Sequence, residues 1–150
     1  IRDNIFLPLG LARRSPKEME QRLAPIAKKL GISEILDKFP YEVSGGQKQR
    51  AAVARALIPN PRLLLADAPT GALDSHSTDS LLRIFERLNA EGQTILMVTH
   101  STRAASHASR VLFIKDGIVF HQSYRGGLRS EDMYQKISDA LTVLASKGDQ

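Results

Sequence analysis

The chain has 150 residues, of which 42% are hydrophobic and 25% are charged, a composition typical of one globular domain with its own core. It contains no cysteine, which excludes disulfide bonds, thiolate metal sites and cysteine redox chemistry. The net charge is +5, but the basic residues are dispersed and only 5% of the residues are aromatic, so we expect no nucleic-acid partner.

The first third of the sequence predicts helices with interruptions. Residues 1–11 are largely apolar, but Pro8 argues against one long helix through this segment. A second helix is predicted to begin after Ser15, a good N-cap residue, and to end at Gly31. Because Pro25 falls inside this pattern, we expect a kink or two short helices there.

The next helix begins in an unusual way, with Ser44-Gly45-Gly46-Gln47. Ser44 and Gln47 match a capping box, which predicts a helix over residues 45–57. Three apolar side chains are expected on its buried face: Val53, Ala56 and Leu57. Glycine is a poor helix former, so Gly45 and Gly46 suggest an anion that approaches bare N–H groups at the positive end of the helix dipole. The pattern predicts a phosphate ligand, and a plain helix start is the alternative.

Two apolar segments read as strands, and each leads to a polar residue. Residues 63–66 are Leu-Leu-Leu-Ala, which predicts a strand buried on both faces, with Asp67 at its end. Residues 94–99 predict a second buried strand that leads to His100. Ligands of open α/β sheets bind at the carboxyl ends of strands, so we expect Asp67 and His100 at one edge. Asp67 is suited to hold Mg²⁺ through water, and a turn or cap role is the alternative.

Further elements are predicted from caps and turns. Asp74 predicts the start of a helix that ends near Gly92. Its apolar face is formed by four residues: Leu81, Leu82, Phe85 and Leu88. A short helix over 101–105, a hairpin that turns at 115–117 and an amphipathic helix over 130–148 follow. Four side chains of the last helix are in register: Met133, Ile137, Leu141 and Leu144.

These strings together resemble the ATPase of ATP-binding cassette (ABC) transporters. Ser-Gly-Gly-Gln followed by Arg-Ala-Ala-Val-Ala-Arg-Ala-Leu resembles the signature motif, and Leu-Leu-Leu-Ala-Asp-Ala-Pro-Thr-Gly-Ala-Leu-Asp resembles the Walker B motif and D-loop. Val-Thr-His resembles the H-loop. The resemblance implies an α/β fold, a partial P-loop NTPase (RecA-like) core with the ABC helical subdomain. Residues 1–61 would form the helical subdomain with the signature motif, and residues 62–150 the C-terminal part of the ATPase core.

The resemblance also implies roles for individual residues, with ATP and Mg²⁺ as cofactors. In this family the signature motif closes over the γ-phosphate of ATP held by the facing subunit of a head-to-tail dimer. Four residues would therefore contact the nucleotide in trans: Ser44, Gly45, Gly46 and Gln47. Asp67 would bind Mg²⁺ through water, His100 would be a catalytic residue that contacts the γ-phosphate, and Asp74 would lie at the dimer interface.

The chain departs from the family pattern in two places. No Gly-x-x-x-x-Gly-Lys-[Ser/Thr] occurs in it, so we expect the Walker A loop, the adenine-stacking aromatic and the Q-loop glutamine to precede Ile1 in a longer protein. Ala68 occupies the position of the family's general-base glutamate. Loss of such a base typically costs about 10²- to 10⁴-fold in rate, so hydrolysis is expected to be impaired. An engineered trap of the ATP-bound state explains Ala68 best, and a naturally degenerate site is the alternative.

The function implied by the resemblance is that of a cytoplasmic transporter subunit, peripheral on the inner face of the bacterial membrane. It would couple Mg-ATP binding and hydrolysis to substrate movement by a separate integral-membrane permease. The string Thr-Gly-Ala-Leu-Asp-Ser resembles that of a bacterial subgroup that serves lipoprotein release, macrolide export and antimicrobial-peptide resistance. The wording of the C-terminal tail favours peptide-antibiotic resistance of the bacitracin type. The alternatives are a non-hydrolysing ATP-gated dimerisation module, which Ala68 suits, and an ABC-type ATPase of DNA repair or chromosome maintenance. The chromosome class should carry a long heptad segment, which this sequence lacks.

Overall fold

A computed structural model describes residues 1–147, with side chains described as far as residue 144. The chain divides into two compact units, the first ending at Met97 and the second beginning at Val98. The larger helices and strands of the first unit are α1 (Arg2–Leu11), α2 (Pro16–Leu30), α3 (Gly45–Leu57), β1 (Leu63–Asp67), α4 (Ser75–Ala90) and all but the last residue of β2 (Thr94–Val98). Those that follow are α5 (Thr102–Ala105), β3 (Arg110–Lys115), β4 (Ile118–Tyr124) and α6 (Ser130–Lys147). No helix within the described residues is long and apolar enough to cross a membrane.

Helix α1 continues through Pro8, so the sequence-based objection to a helix here is wrong. The proline has no N–H to donate, and a proline inside a helix typically costs about 3 kcal/mol. Burial offsets this cost, because Ile5 and Leu9 lie on one face of α1 and belong to the core that it shares with α3. Tertiary packing therefore overrides the local preference of the proline.

Helix α2 begins and ends as its sequence predicts. Ser15 is the N-cap, and its hydroxyl accepts a hydrogen bond from the N–H of Glu18. Gly31 closes the helix in the left-handed conformation, at φ +64°. The helix is continuous through Pro25, so the alternative of two short helices is wrong. Leu23 and Leu30, on either side of the proline, are both buried in the core.

Helix α3 has the predicted bounds and packs against α1, α2 and α4. Its buried residues are Ala51, Val53, Ala54 and Leu57. Ala56 is exposed, contrary to the prediction, because it falls outside the stripe that these four residues form. Contacts with three other helices fix the position of α3 and therefore of its first turn, where a phosphate ligand is predicted.

Strands β1 and β2 are hydrogen-bonded neighbours, but neither is buried on both faces. In β1, Leu64 is buried in the core of the first unit, while Leu63 is 46% exposed and Leu65 is 68% exposed. In β2, Leu96 and Val98 are likewise exposed. The predicted two-sided burial is therefore wrong for the described structure, because the core of the first unit covers only one face of this sheet.

The second unit contains an antiparallel hairpin and a helix. Lys115 pairs with Ile118 across a two-residue turn, in which Asp116 and Gly117 have φ values of +51° and +77°. A small core is formed by Phe113, Met133 and Ile137. Leu141 of α6 is exposed, so its predicted place on the buried face is wrong. The predicted end of this helix at Gly148 lies outside the described residues.

A matched pair of leucines in α1 tests this packing. Leu9→Ala is expected to lower the free energy of unfolding by about 2–5 kcal/mol, because it leaves a cavity at a side chain that is 2% exposed. Leu7→Ala, in the same helix at a side chain that is 53% exposed, should change it by only about 0.5 kcal/mol. Urea unfolding of the two variants measures both effects, and equal losses would contradict the buried face assigned to α1.

Candidate functional site

The start of α3 has two backbone N–H donors without a hydrogen-bond partner among the described residues. Ser44 Oγ accepts from the N–H of Gln47 at 3.2 Å, and the N–H of Ser44 donates to Gln47 Oε1 at 2.8 Å. This capping box occupies two of the four N–H groups that a helix start leaves unpaired. Among the described residues, no hydrogen bond uses the N–H of Gly45 or Gly46. Two donors therefore remain at the positive end of a 13-residue helix, as an anion requires.

The two glycines differ in their surroundings. A Cβ atom on Gly45 would meet Leu73 Cδ2 at 3.9 Å, an ordinary van der Waals contact. A Cβ atom on Gly46 would lie 2.8 Å from Ser77 Oγ and 3.0 Å from Ser77 Cβ, which is too close. Gly46 is thus required by the packing of α3 against the first turn of α4, a reason that the sequence pattern did not reveal.

Asp74 is the N-cap of α4 and binds Ser77 twice. Its Oδ1 atom accepts from the N–H of Ser77, and its Oδ2 atom accepts from the hydroxyl of Ser77, each at 2.8 Å. These bonds, the backbone one first, hold the pKa of the Asp74 carboxyl below its ordinary value. The predicted capping role is confirmed. Asp74 also has an exposed carboxylate, as a contact with another molecule would require.

A pocket of about 230 Å³ lies between the starts of α3 and α4. Ser44, Gln47 and Arg50 line it from α3, and His76 and Ser77 line it from α4. The structure therefore brings the starts of α3 and α4 together, although they are far apart in sequence. Sequence analysis missed Ser77, whose only local signal is its position three residues after an N-cap aspartate.

Asp67 and Ala68 lie at the end of β1, and both are exposed. Ala68 has a φ of +42°, in the left-handed region that costs a non-glycine residue about 1–2 kcal/mol. Its carbonyl accepts from the N–H of Gly71 at 3.0 Å, which closes a turn directly after the strand. Strained residues of this kind concentrate at functional sites. Arg13, Asn60 and Asp116 also have a positive φ, so at Ala68 this angle indicates the turn that follows β1.

His100 belongs to the second unit and is exposed, two residues after the end of β2. Ser101, which follows it, is the N-cap of α5, and its hydroxyl accepts from the N–H of Ala104 at 3.2 Å. No three His, Asp or Glu side chains of the described residues are grouped closely enough to hold a metal ion by themselves. A metal at Asp67 would therefore take most of its ligands from elsewhere.

The chain is similar to known proteins. A protein-family model described as ABC transporter matches residues 1–71. The ABC transporter ATP-binding protein YxdL of Bacillus subtilis (strain 168) is 50% identical over 145 residues, which are 96% of this chain and 56% of YxdL. This chain belongs to the ABC transporter ATPase family. The suspected family is therefore confirmed.

Two further comparisons refine this assignment. The bacitracin export ATP-binding protein BceA of Halalkalibacterium halodurans is 45% identical over 145 residues, which are 96% of this ABC chain and 57% of BceA. A solved structure described as the dimeric structure of MJ0796, a bacterial ABC transporter cassette, is 37% identical with a TM-score of 0.67. It covers 80% of this chain, which in turn covers 54% of the MJ0796 chain. The predicted α/β cassette fold is confirmed, and the chain spans little more than half of these relatives.

Proposed function

We propose that this chain forms part of the ATP-hydrolysing subunit of an ABC transporter, which couples Mg-ATP binding and hydrolysis to substrate movement by a separate membrane permease. The start of α3 is the observation that carries this proposal. Its capping box leaves the N–H groups of Gly45 and Gly46 free at the positive end of the helix dipole, on an accessible surface. A phosphate oxygen is the ligand that these donors fit.

The donors at α3 are proposed to serve a second subunit. Ser44, Gly45, Gly46 and Gln47 would hold the γ-phosphate of ATP bound to the facing subunit, in a head-to-tail dimer. The exposed carboxylate of Asp74, close to this surface through Ser77, would contact the same partner. The description of MJ0796 as a dimer supports this arrangement, since it is a cassette of the same family.

Asp67 and His100 are each proposed to have a separate role in hydrolysis. Asp67 fits a Mg²⁺ role as a single exposed carboxylate, because Mg²⁺ in such sites keeps several waters and takes its remaining ligands from phosphates. Bound Mg-ATP would supply the γ-phosphoryl group for in-line attack by water. His100 would donate a hydrogen bond to the γ-phosphate, while Ala68, with only a methyl group, has no means of accepting a proton from that water.

The process that the chain serves and its location are proposed by analogy with the relatives. The name of BceA connects it with bacitracin export, which favours antimicrobial-peptide resistance as the process that this chain serves. A subunit that functions together with a membrane permease would lie on the inner face of the cell membrane, as a peripheral protein. The division into a helical subdomain over 1–61 and an ATPase-core part over 62–150 belongs to the same proposal.

A specific observation favours a second function. Ala68 stands at the position of the family's general base, so that base is missing. The N–H donors of α3 and the carboxylate of Asp67 are nevertheless present. A subunit of this kind would bind ATP and dimerise without hydrolysing it. The alternative function is therefore an ATP-gated dimerisation module.

Nucleotide binding by two forms of the protein tests the main proposal. We define the complete subunit as a protein that contains this chain together with a Walker A segment. The complete subunit is expected to bind Mg-ATP and to dimerise with it, whereas the isolated 150-residue chain should bind ATP weakly or not at all, since no Walker A loop occurs in it. Calorimetry measures both affinities. Submillimolar binding by the isolated chain, or a folded complete subunit that ATP does not dimerise, would contradict the proposal.

A further inference from the structure

Ser77, in the first turn of α4, contacts two residues for which the proposed function assigns contacts with the facing subunit, Asp74 and Gly46. Its hydroxyl and its N–H both donate to the carboxylate of Asp74. The same side chain lies where any Cβ atom on Gly46 would have to go. Gly46 and Asp74 do not share an element, so Ser77 is the point at which the signature helix and the D-loop aspartate meet.

We propose that Ser77 is a positioning residue that locks the start of α3 to Asp74, so that the phosphate donors and the D-loop carboxylate keep one fixed geometry. This proposal rests on the proposed function for the meaning of that geometry. It also assigns a different reason to each glycine of the motif. Gly46 is glycine because of Ser77 in its own subunit, whereas Gly45 has room for a side chain as far as its own subunit is concerned.

The lock follows from the hydrogen bonds that hold the serine in place. Ser77 Oγ lies 2.8 Å from Asp74 Oδ2, so it cannot rotate away from Gly46 without losing that bond. A methyl group at position 46 therefore displaces the hydroxyl from Asp74, because giving up one hydrogen bond costs less than separating the packed helices α3 and α4. Without this bond, the Asp74 carboxylate is no longer fixed relative to the donors of α3.

The space around Ser77 suggests a compensating substitution. With serine at position 77, a Cβ atom on Gly46 meets Oγ at 2.8 Å and Cβ at 3.0 Å. Ser77→Gly removes both atoms and leaves Ser77 Cα as the nearest contact of that residue, at 3.9 Å, which is an ordinary van der Waals distance. The added methyl of Gly46→Ala then fits into the space that the serine side chain vacates. Gly46→Ala should therefore be harmful only when Ser77 is present.

The first arm of the test uses the isolated chain and needs no nucleotide. NMR titration of the Asp74 carboxyl is compared in Gly46→Ala, Ser77→Gly, the double variant and Gly45→Ala as the matched control. The hydroxyl of Ser77 helps to hold the pKa of Asp74 low, so Ser77→Gly should raise that pKa towards its ordinary value. Gly46→Ala should raise it as well, although residue 46 makes no hydrogen bond to Asp74, and Gly45→Ala should leave it unchanged.

Other charges near the site are the same in every variant. Arg50 from α3 and His76 from α4 line the adjoining pocket, and both are retained. In the double variant, the pKa of Asp74 should equal that in Ser77→Gly alone. An Asp74 pKa that Gly46→Ala leaves at its wild-type value would overturn the proposal. If Gly46→Ala does not fold, the proposal requires the double variant to fold, and failure of both while Ser77→Gly folds would overturn it too.

The second arm uses the complete subunit and measures ATP-dependent dimerisation by light scattering. Gly46→Ala should raise the ATP concentration for half-maximal dimerisation by about tenfold or more, the equivalent of losing one hydrogen bond to a charged group. The double variant should match Ser77→Gly alone. If the wild-type subunit dimerises but the double variant does not match Ser77→Gly, the result contradicts the lock and leaves the proposed function intact. A wild-type subunit that does not dimerise counts against the proposed function, while the first arm still decides the lock.

Discussion

Ala68→Glu in the complete subunit is expected to increase ATP hydrolysis by a factor on the order of 10² or more, because it returns a general base to the position directly after Asp67. The backbone should accept this change. Residue 68 already has a φ of +42°, and a glutamate there adds no left-handed strain beyond that of the alanine. Phosphate release in single-turnover experiments measures the increase.

Ala68→Gln is the matched control for this experiment. Glutamine has nearly the same length and shape as glutamate but does not act as a base, so its phosphate release should stay near that of the Ala68 protein. The Ala68 protein should also remain longer as an ATP-bound dimer, because closure is retained while hydrolysis is slowed. An equal gain from glutamine would contradict the role of a base at this position.

His100 gives a second check within the restored background. His100→Ala combined with Ala68→Glu is expected to lose most of the gain, since the proposed γ-phosphate contact is removed while the base remains. If Ala68→Glu binds ATP and its phosphate release stays at background, the non-hydrolysing dimerisation module becomes the better account of this chain.

Gly45→Asp is expected to abolish ATP-dependent dimerisation of the complete subunit. Position 45 has room for a Cβ atom, so the substitution adds a negative charge without the clash that a side chain at position 46 would cause. Two unit charges about 4 Å apart repel by about 4 kcal/mol at an effective dielectric constant of about 20, which corresponds to roughly a thousandfold in affinity. Light scattering with and without Mg-ATP measures the loss.

Gly45→Asn separates charge from bulk, since asparagine is nearly isosteric with aspartate and neutral. It should retain clearly more dimerisation than Gly45→Asp. Thermal unfolding of the isolated chain should show no loss of stability in Gly45→Asp relative to Gly45→Asn, because a carboxylate in the first turn of a helix interacts favourably with the helix dipole. Equal dimerisation by both variants would show that the start of α3 does not face an anion.

The features that the sequence determined by itself are those with a local physical cause. The bounds of α3 follow from the capping box of Ser44 and Gln47, whose partners are three residues apart. The start of α4 follows from the Asp74 side chain, which caps the helix that it precedes. The hairpin follows from Asp116 and Gly117, because an Asp-Gly pair tolerates two positive φ angles in succession. The family also followed from short contiguous strings, and the comparisons confirmed it.

The tertiary structure decided whatever depends on residues far apart in sequence. Helix α1 passes through Pro8 because Ile5 and Leu9 are buried in the core shared with α3, and this burial is not visible in the segment itself. Leu63 and Leu65 read as buried in the apolar run of β1, yet they lie on the face that the core leaves uncovered. Gly46 is confined by Ser77 only after α3 and α4 have packed. Local patterns report backbone hydrogen bonds and turn angles, whereas burial and steric fit are set by distant partners that only the folded chain brings into contact.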